Sequence, residues 1–322
     1  MDTKVRLVEA ISERLREWTR LGKKELNAIC NEFGIVYNDN IGIVKESVEI
    51  SLMHIAREIA QAYDFETAYA KIIELYNIQP ILGDKMTLRQ MALQQYSTSL
   101  PLSFLMSNYI CNNQSGIYFE PTAGNGFLTI ALPQEQTIVN EIDGLRLENL
   151  KGESYRKVTE QDATKPFDFG KIFDGVVMNP PFLRKGMTEA IIFNSLACMK
   201  DSGKCAILRD GWNEFKPYYG TMQRSKLNPF FDELFWHYNV EKIINLKSTD
   251  VYAKQGTITP MQIILLNGRK SVVKENMMHR VFNPEIDITE LQDFDGFYKI
   301  FASLKNKNKE TLKLQDVEMK LL

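Results

Sequence analysis

The sequence predicts an α/β protein, a mostly parallel seven-stranded sheet with helices on its faces, preceded by an α-helical N-terminal region. Three observations carry this. Apolar positions recur three and four apart through the first 78 residues. From Gly116 onward, short apolar runs alternate with helical stretches. Glycine, proline and acidic residues gather where those runs end.

The N-terminal helices are read from VRLVEAISERLREW, KESVEISLMHIAREIAQAY and ETAYAKIIELYNI. Gln79-Pro80 and Gly83 punctuate them, and a further helical segment is expected from about Thr87. The strands are GIYFEPTA, TIVNEID, YRKVTEQDA, FDGVVMNPP, KCAILRDG, EKIINLK and PMQIILLN. The first five alternate with stretches such as DGLRLENL and MTEAIIFNSLACMK, as βα units do in a parallel sheet. The last two are joined without room for a long helix, which predicts an antiparallel pair at one edge. The residues from about Lys270 mix acidic turns, PEIDITELQDFDG, with KNKNKE and read as a small appendage. The expected division is therefore 1–86, helical; 87–269, the α/β domain; and 270–322, the appendage.

Composition narrows the function classes. Of 322 residues, 44% are hydrophobic and 25% charged, as in an ordinary globular protein. Cys30, Cys111, Cys198 and Cys205 form no CxxC pair and only three histidines accompany them, so neither a metal site nor a disulfide framework is expected. The N-terminus lacks the apolar core of a signal peptide, and no uncharged apolar run approaches the length of a membrane span, so a cytoplasmic protein is expected. A formal charge of −2 argues against a wholly basic polyanion-binding surface but leaves room for a local cleft. Lys and Arg gather from Arg184 to Lys226 (Arg184, Lys185, Lys200, Lys204, Arg209, Lys216, Arg224, Lys226), which suits a phosphate-binding rim or a solvated helical face equally.

The chemistry concentrates at strand ends. Glu120-Pro121-Thr122-Ala123-Gly124-Asn125-Gly126 stands where the first parallel strand ends and a helix is expected to begin. Ligands of open α/β sheets bind outside the carboxyl ends of the strands, and glycines there let the backbone approach closely. An acid at that strand end can accept from an ammonium group. Glu141, about twenty residues on, ends the second strand in the position that typically holds ribose hydroxyls, and Ile142 follows it. Asp162-Ala163 ends the third strand, where a carboxylate can accept from an adenine amino group. Asn179-Pro180-Pro181-Phe182 follows the fourth strand directly. Two successive prolines donate no ladder hydrogen bonds and force a rigid exit loop with its carbonyls in fixed directions.

EPTAGNG, NEID, QDAT and NPPF resemble, in kind, order and spacing, the cofactor and catalytic motifs of class I S-adenosylmethionine-dependent amino-methyltransferases, most closely the adenine-N6 DNA methyltransferases. Gln95-Tyr96-Ser97-Thr98-Ser99-Leu100-Pro101-Leu102 looks like the family motif that precedes the glycine turn and holds the methionine carboxylate, which gives the gamma-type motif order. The resemblance covers roughly residues 94 to 267 and includes Gly256-Thr257 before the last strand, similar to the family's closing hairpin. It implies a Rossmann-like methyltransferase fold, S-adenosylmethionine as cofactor and DNA as partner. Tyr96, Thr98, the turn from Glu120 to Gly126, and Asn179 would then hold the methionine end, Glu141 the ribose, Ile142 the adenine face, and Asp162 with Ala163 the adenine edge. Asn179 and the Pro180 carbonyl would accept from the target amine, with Pro181 stiffening the loop, Phe182 stacking on a flipped base, and Arg184 and Lys185 meeting the nucleic acid. Ser99, where the family often has proline, and Phe127, where a small residue is frequent, are departures that remove no ligand-binding group.

The same loop serves methylation of a protein glutamine amide, although those enzymes more often carry Tyr after the prolines, and methylation of RNA adenine. A non-catalytic recognition subunit of a restriction-modification or defence assembly is the alternative of another class. Only some fifty residues follow the catalytic region, where the family usually carries a recognition domain. Target specificity is therefore expected from the N-terminal helices or from a partner subunit, or is expected to be low.

Overall fold

The structure is a computed structural model, and it describes residues 3–80, 97–111, 115–182, 186–210, 229–246, 251, 260–271, 288–291 and 293–320. The helical segment expected from Thr87, Gly256-Thr257, and Lys216, Arg224 and Lys226 lie outside the described residues.

Helix α1 (Thr3–Arg16) buries Leu7, Ile11 and Leu15, one per helical turn. It lies against α3 (Ile41–Ala62), and α2 (Lys23–Glu32) packs beside it. Helix α4 (Phe65–Ile78) starts at Asp64, whose carboxylate accepts from the Glu66 and Thr67 amides and satisfies two of the orphan N–H groups. Next comes α5 (Leu100–Ile110), which is buried along nearly its whole length. Helix α3 is enclosed on several sides, so the buried residues of this one helix include Lys45, Glu46, Glu49 and Arg57. Buried charges at such positions require partners.

Among the described residues the sheet has eight strands, one more than expected, in the order β3-β2-β1-β4-β5-β7-β6-β8. Strands β1 (Tyr118–Glu120), β2 (Thr137–Asn140), β3 (Lys157–Thr159), β4 (Phe173–Met178) and β5 (Met199–Asp210) run parallel. As expected, β6 (Tyr238–Leu246) and β7 (Met261–Arg269) pair antiparallel, with β7 inserted next to β5. The unexpected strand, β8 (Ile288–Leu291), adds parallel to β6 from the region read as acidic turns. Four residues flanked by acids carry too little alternation to announce a strand.

Burial on both faces explains the continuous apolar runs. Val177, Ala206, Leu208, Ile263 and Leu265 enter one core with α1 to α5 and with α9 (Phe294–Lys320), which contributes Phe297, Phe301 and Leu304. Their alternates Val176, Met178, Cys205, Ile207, Ile264 and Leu266 enter the other core with α7 (Met187–Ala197) and α8 (Pro229–His237). The N-terminal and C-terminal helices thus share one apolar cluster with the sheet.

Two βα connections differ from expectation. After Gly126 the chain makes only a 3-10 turn, Phe127–Thr129, because the few residues before Pro133 are too short for a stable α-helix. Between β3 and β4 no helix covers the sheet among the described residues. An aromatic cluster does so instead, with Phe119 stacked on Phe173 at 4.7 Å and meeting Phe167 edge-on at 5.0 Å.

Candidate active site

Strand order reverses between β1 and β4, so the crevice outside their carboxyl ends is the topological switch point. Glu120 closes β1 and Asn179 follows β4 by one residue, which sets the two side by side at that edge. A cavity of about 250 Å³ opens there. Its wall includes Thr98, Glu120, Pro121, Thr122, Ala123, Gly124, Asn125, Glu141, Ile142, Asp162, Ala163, Asn179 and Pro181. Of the other expected site residues, Gly126, Pro180 and Phe182 are not on this wall. Pro180 is buried, and Phe182 is half-buried against the core under the sheet. Tyr96, Arg184 and Lys185 lie outside the described residues.

The glycine turn depends on two left-handed residues, Gly124 at φ +57° and Gly126 at φ +82°. A Cβ at Gly126 would run into the Tyr155 hydroxyl, which Arg57 and Thr129 hold at 2.8 and 2.7 Å. Gly126→Ala is therefore expected to destabilise the protein by about 2 kcal/mol or more, from left-handed strain plus overpacking. Urea unfolding checks it: the midpoint should fall with the slope unchanged.

Glu141 is 8% exposed and anchors the next loop. Its carboxylate accepts from the Gly124 amide at 2.7 Å and from the Asp143 amide at 2.7 Å. Asp143 in turn caps α6 (Gly144–Lys151). Each oxygen of Glu141 keeps acceptor capacity beyond these bonds. Ile142 lines the cavity with 58% exposure and presents an apolar surface there. Asp162 is aimed by Thr164, whose hydroxyl and amide donate to its Oδ1 at 2.6 and 3.0 Å. Those bonds, from the hydroxyl first, hold its carboxyl below the usual range.

Asn140 escaped the sequence reading. Its amide nitrogen donates to the Pro121 and Gln161 carbonyls at 2.9 and 3.0 Å, and its oxygen accepts from the Thr159 hydroxyl and the Gln161 amide at 2.9 and 2.8 Å. One buried side chain thus fastens three strand-end loops together. Its only signal was a polar residue closing the apolar run TIVN.

The floor is polar and incompletely satisfied. Glu120 is 2% exposed, and among the described residues neither its Oε2 nor the buried hydroxyl of Thr122 has a hydrogen-bond partner. Burial first, and the nearby Glu141 charge second, push the Glu120 carboxyl well above the usual range. Such an acid at the bottom of a cavity suits a cationic ligand group. Below it, Asn125 donates to Glu46 and Glu49 of α3, both at 2.6 Å, and accepts from Asn149 at 2.7 Å. At the outer wall, the Asn179 amide nitrogen donates to the Thr98 hydroxyl at 3.0 Å, and the Thr188 hydroxyl donates to the Pro181 carbonyl at 2.9 Å. The segment before α5 and the proline loop after β4 are therefore joined at the cavity.

The basic stretch after the loop is used differently from a phosphate-binding rim wherever it is described. Lys200 pairs with Asp174 at 2.8 Å, Lys204 is buried over the Tyr109 ring, and Arg209 is buried over Phe230.

This arrangement of strands and cavity defines the class I methyltransferase fold. The solved structure of a protein of Listeria monocytogenes, assigned to the class I S-adenosylmethionine-dependent methyltransferases, is similar at 14% identity with a TM-score of 0.52, over 93% of this chain and 98% of that one. A structure assigned as the modification subunit of a type I restriction enzyme from Vibrio vulnificus is also similar, at 13% identity and a TM-score of 0.43, over 62% of this chain and 50% of that one. No protein-family model and no curated protein sequence matches the chain. Among the described residues, no helix is long and apolar enough to cross a membrane.

Proposed function

We propose that this chain is a site-specific adenine DNA methyltransferase, which transfers a methyl group from S-adenosylmethionine to the N6 amino group of a flipped-out base. The observation that carries the reading is the hydrogen bond from Asn179 to Thr98 on the wall of a cavity whose floor holds Glu120, Gly124 and Glu141. When bound, S-adenosylmethionine supplies a methyl group already activated by a positive sulfur.

The residues of this chain fit that ligand. Glu120, buried and lacking a partner for one oxygen, receives the ammonium group. Glu141, already fixed by two backbone amides, takes the ribose hydroxyls with its remaining lone pairs. Ile142 covers the adenine face, and Asp162 accepts from the adenine amino group. Donation from its amide nitrogen to Thr98 supports a reading in which the Asn179 oxygen accepts from the target amine. The carbonyl of Pro180, next along the loop although that residue is not on the cavity wall, would be the second acceptor. Two acceptors draw the planar nitrogen toward a tetrahedral shape and aim its lone pair, so catalysis rests on positioning and electrostatics and needs no covalent enzyme intermediate.

Adenine within a duplex cannot reach such a crevice, so the base leaves the stack at a cost of a few kcal/mol. The face of Phe182 that is not packed against the core is the surface that would stack on the base, recovering roughly 1–3 kcal/mol of it. Arg184 and Lys185, the next basic residues along the chain, meet the phosphates. Expression in a methylation-free host, followed by long-read mapping of N6-methyladenine, tests the reading. Modified adenines are expected with the wild-type chain and not with Asn179→Ala. Unmodified DNA, alongside transfer of radioactive methyl to protein or RNA, would reject it.

A further inference from the structure

The cavity carries a cation that no motif announced. Arg146 is the third residue of α6, where a positive charge opposes the helix dipole, and it is 4% exposed. Two acids of α3 compensate it: Nε lies 3.4 Å from Glu46 Oε1, and Nη2 lies 3.4 Å from Glu49 Oε2. These acids are themselves fixed, both by Asn125 at 2.6 Å and Glu49 also by the Ser97 hydroxyl at 2.7 Å. Burial pushes the Glu49 carboxyl up, Arg146 pulls it back, and Glu46 adds to the rise. The guanidinium is thus held along one edge. Its other nitrogen, Nη1, faces the glycine turn, since a Cβ at Gly124 would stand 3.3 Å from it.

Arg146 and Glu120 therefore line one cavity, the acid where β1 runs into the glycine turn and the guanidinium beside Gly124. A guanidinium nitrogen and a buried carboxyl lacking a partner are the complement of the two charges of an α-amino acid. Thr98, expected at the methionine end, accepts from Asn179 and keeps its own O–H to donate, so a cation is the stronger complement to a carboxylate. We propose that Arg146, clamped by Glu46 and Glu49, binds the α-carboxylate of the cofactor's methionine moiety opposite Glu120. Helix α3 is then part of the cofactor site. The proposal rests on the methyltransferase reading and extends it to residues outside every motif.

The test is calorimetric binding, to the full chain, of S-adenosylmethionine and of its decarboxylated counterpart. The wild type should favour the carboxylated ligand by roughly 10- to 100-fold, the range for a hydrogen bond between charged groups. Arg146→Met should erase that preference and leave affinity for the decarboxylated ligand within about twofold. Because this change strands two buried acids, the triple variant E46Q/E49Q/R146M accompanies it and should show the same loss. Arg146→Lys, which keeps the charge without the planar fork, should retain only part of the preference. An undiminished preference in Arg146→Lys or the triple variant, or equal binding of both ligands by the wild type, overturns the assignment and leaves the methyltransferase reading standing. Binding of neither ligand by the wild type removes that reading and the assignment with it.

Discussion

Replacing Asn179 by Ala is expected to lower methyl transfer by about 10²- to 10³-fold, the loss seen when one preorganised hydrogen-bonding group is taken from a reacting centre. Cofactor affinity should change by less than about threefold, roughly half of the tenfold step per 1.4 kcal/mol on a logarithmic scale. The split follows from position. Asn179 is half-buried on the cavity wall and joined to the proline loop, whereas Glu120 and Glu141 are buried at the ends of other strands. The Asn179 amide nitrogen donates to the Thr98 hydroxyl. Thr98 is 3% exposed, so Thr98→Val keeps the shape and deletes only the hydroxyl. That variant should lose about tenfold in rate, the equivalent of one net hydrogen bond of about 1 kcal/mol or slightly more. Single-turnover transfer and calorimetric binding separate the two quantities. Equal loss of rate and affinity in Asn179→Ala would make the residue a cofactor ligand and not the group that receives the amine.

The strand-end residues were legible because they obey local rules. Gly124 and Gly126 do adopt left-handed conformations, and Pro180-Pro181 does close β4 at the ligand-binding edge. Glu120, Glu141 and Asp162 were found by counting from strand ends, which parallel pairing then brought to one rim. Residues whose role depends on distant partners were not legible. Glu46 and Glu49 stand in KESVEIS, a pattern that reads as the wet face of an amphipathic helix. They are buried because α3 is enclosed by neighbours and lies over the glycine turn. Arg146 meets them across about a hundred residues of chain, a separation that no periodicity records. Its one trace in the sequence was a cation in the first turn of a helix that has no acid there. Asn140 was equally silent, since nothing local says that a strand-closing polar residue will find four partners.

Glu120→Gln is expected to act on stability and on cofactor binding in opposite directions. In the ligand-free protein the folded carboxyl keeps its proton to higher pH than the unfolded one, whose ordinary value is 4.5. Between that value and the raised one the native state binds more protons, so wild-type stability falls as pH climbs through the window. Glutamine does not titrate, and the variant should lack this component. The difference between the two stability curves, from chemical unfolding at a series of pH values, should therefore shift in the variant's favour above pH 4.5. Subtraction matters because burial also raises Glu49, which titrates in both proteins. A neighbouring ammonium favours the carboxylate, so cofactor binding should drive a proton off Glu120. Calorimetry in buffers of different ionisation heat should show that release in the wild type and not in the variant. Affinity should fall by roughly 10- to 100-fold, the span for loss of a charge-assisted hydrogen bond. Parallel stability curves together with unchanged affinity would mean that the acid closing β1 does not face the ammonium group. The partner missing from its Oε2 would then have to come from another ligand.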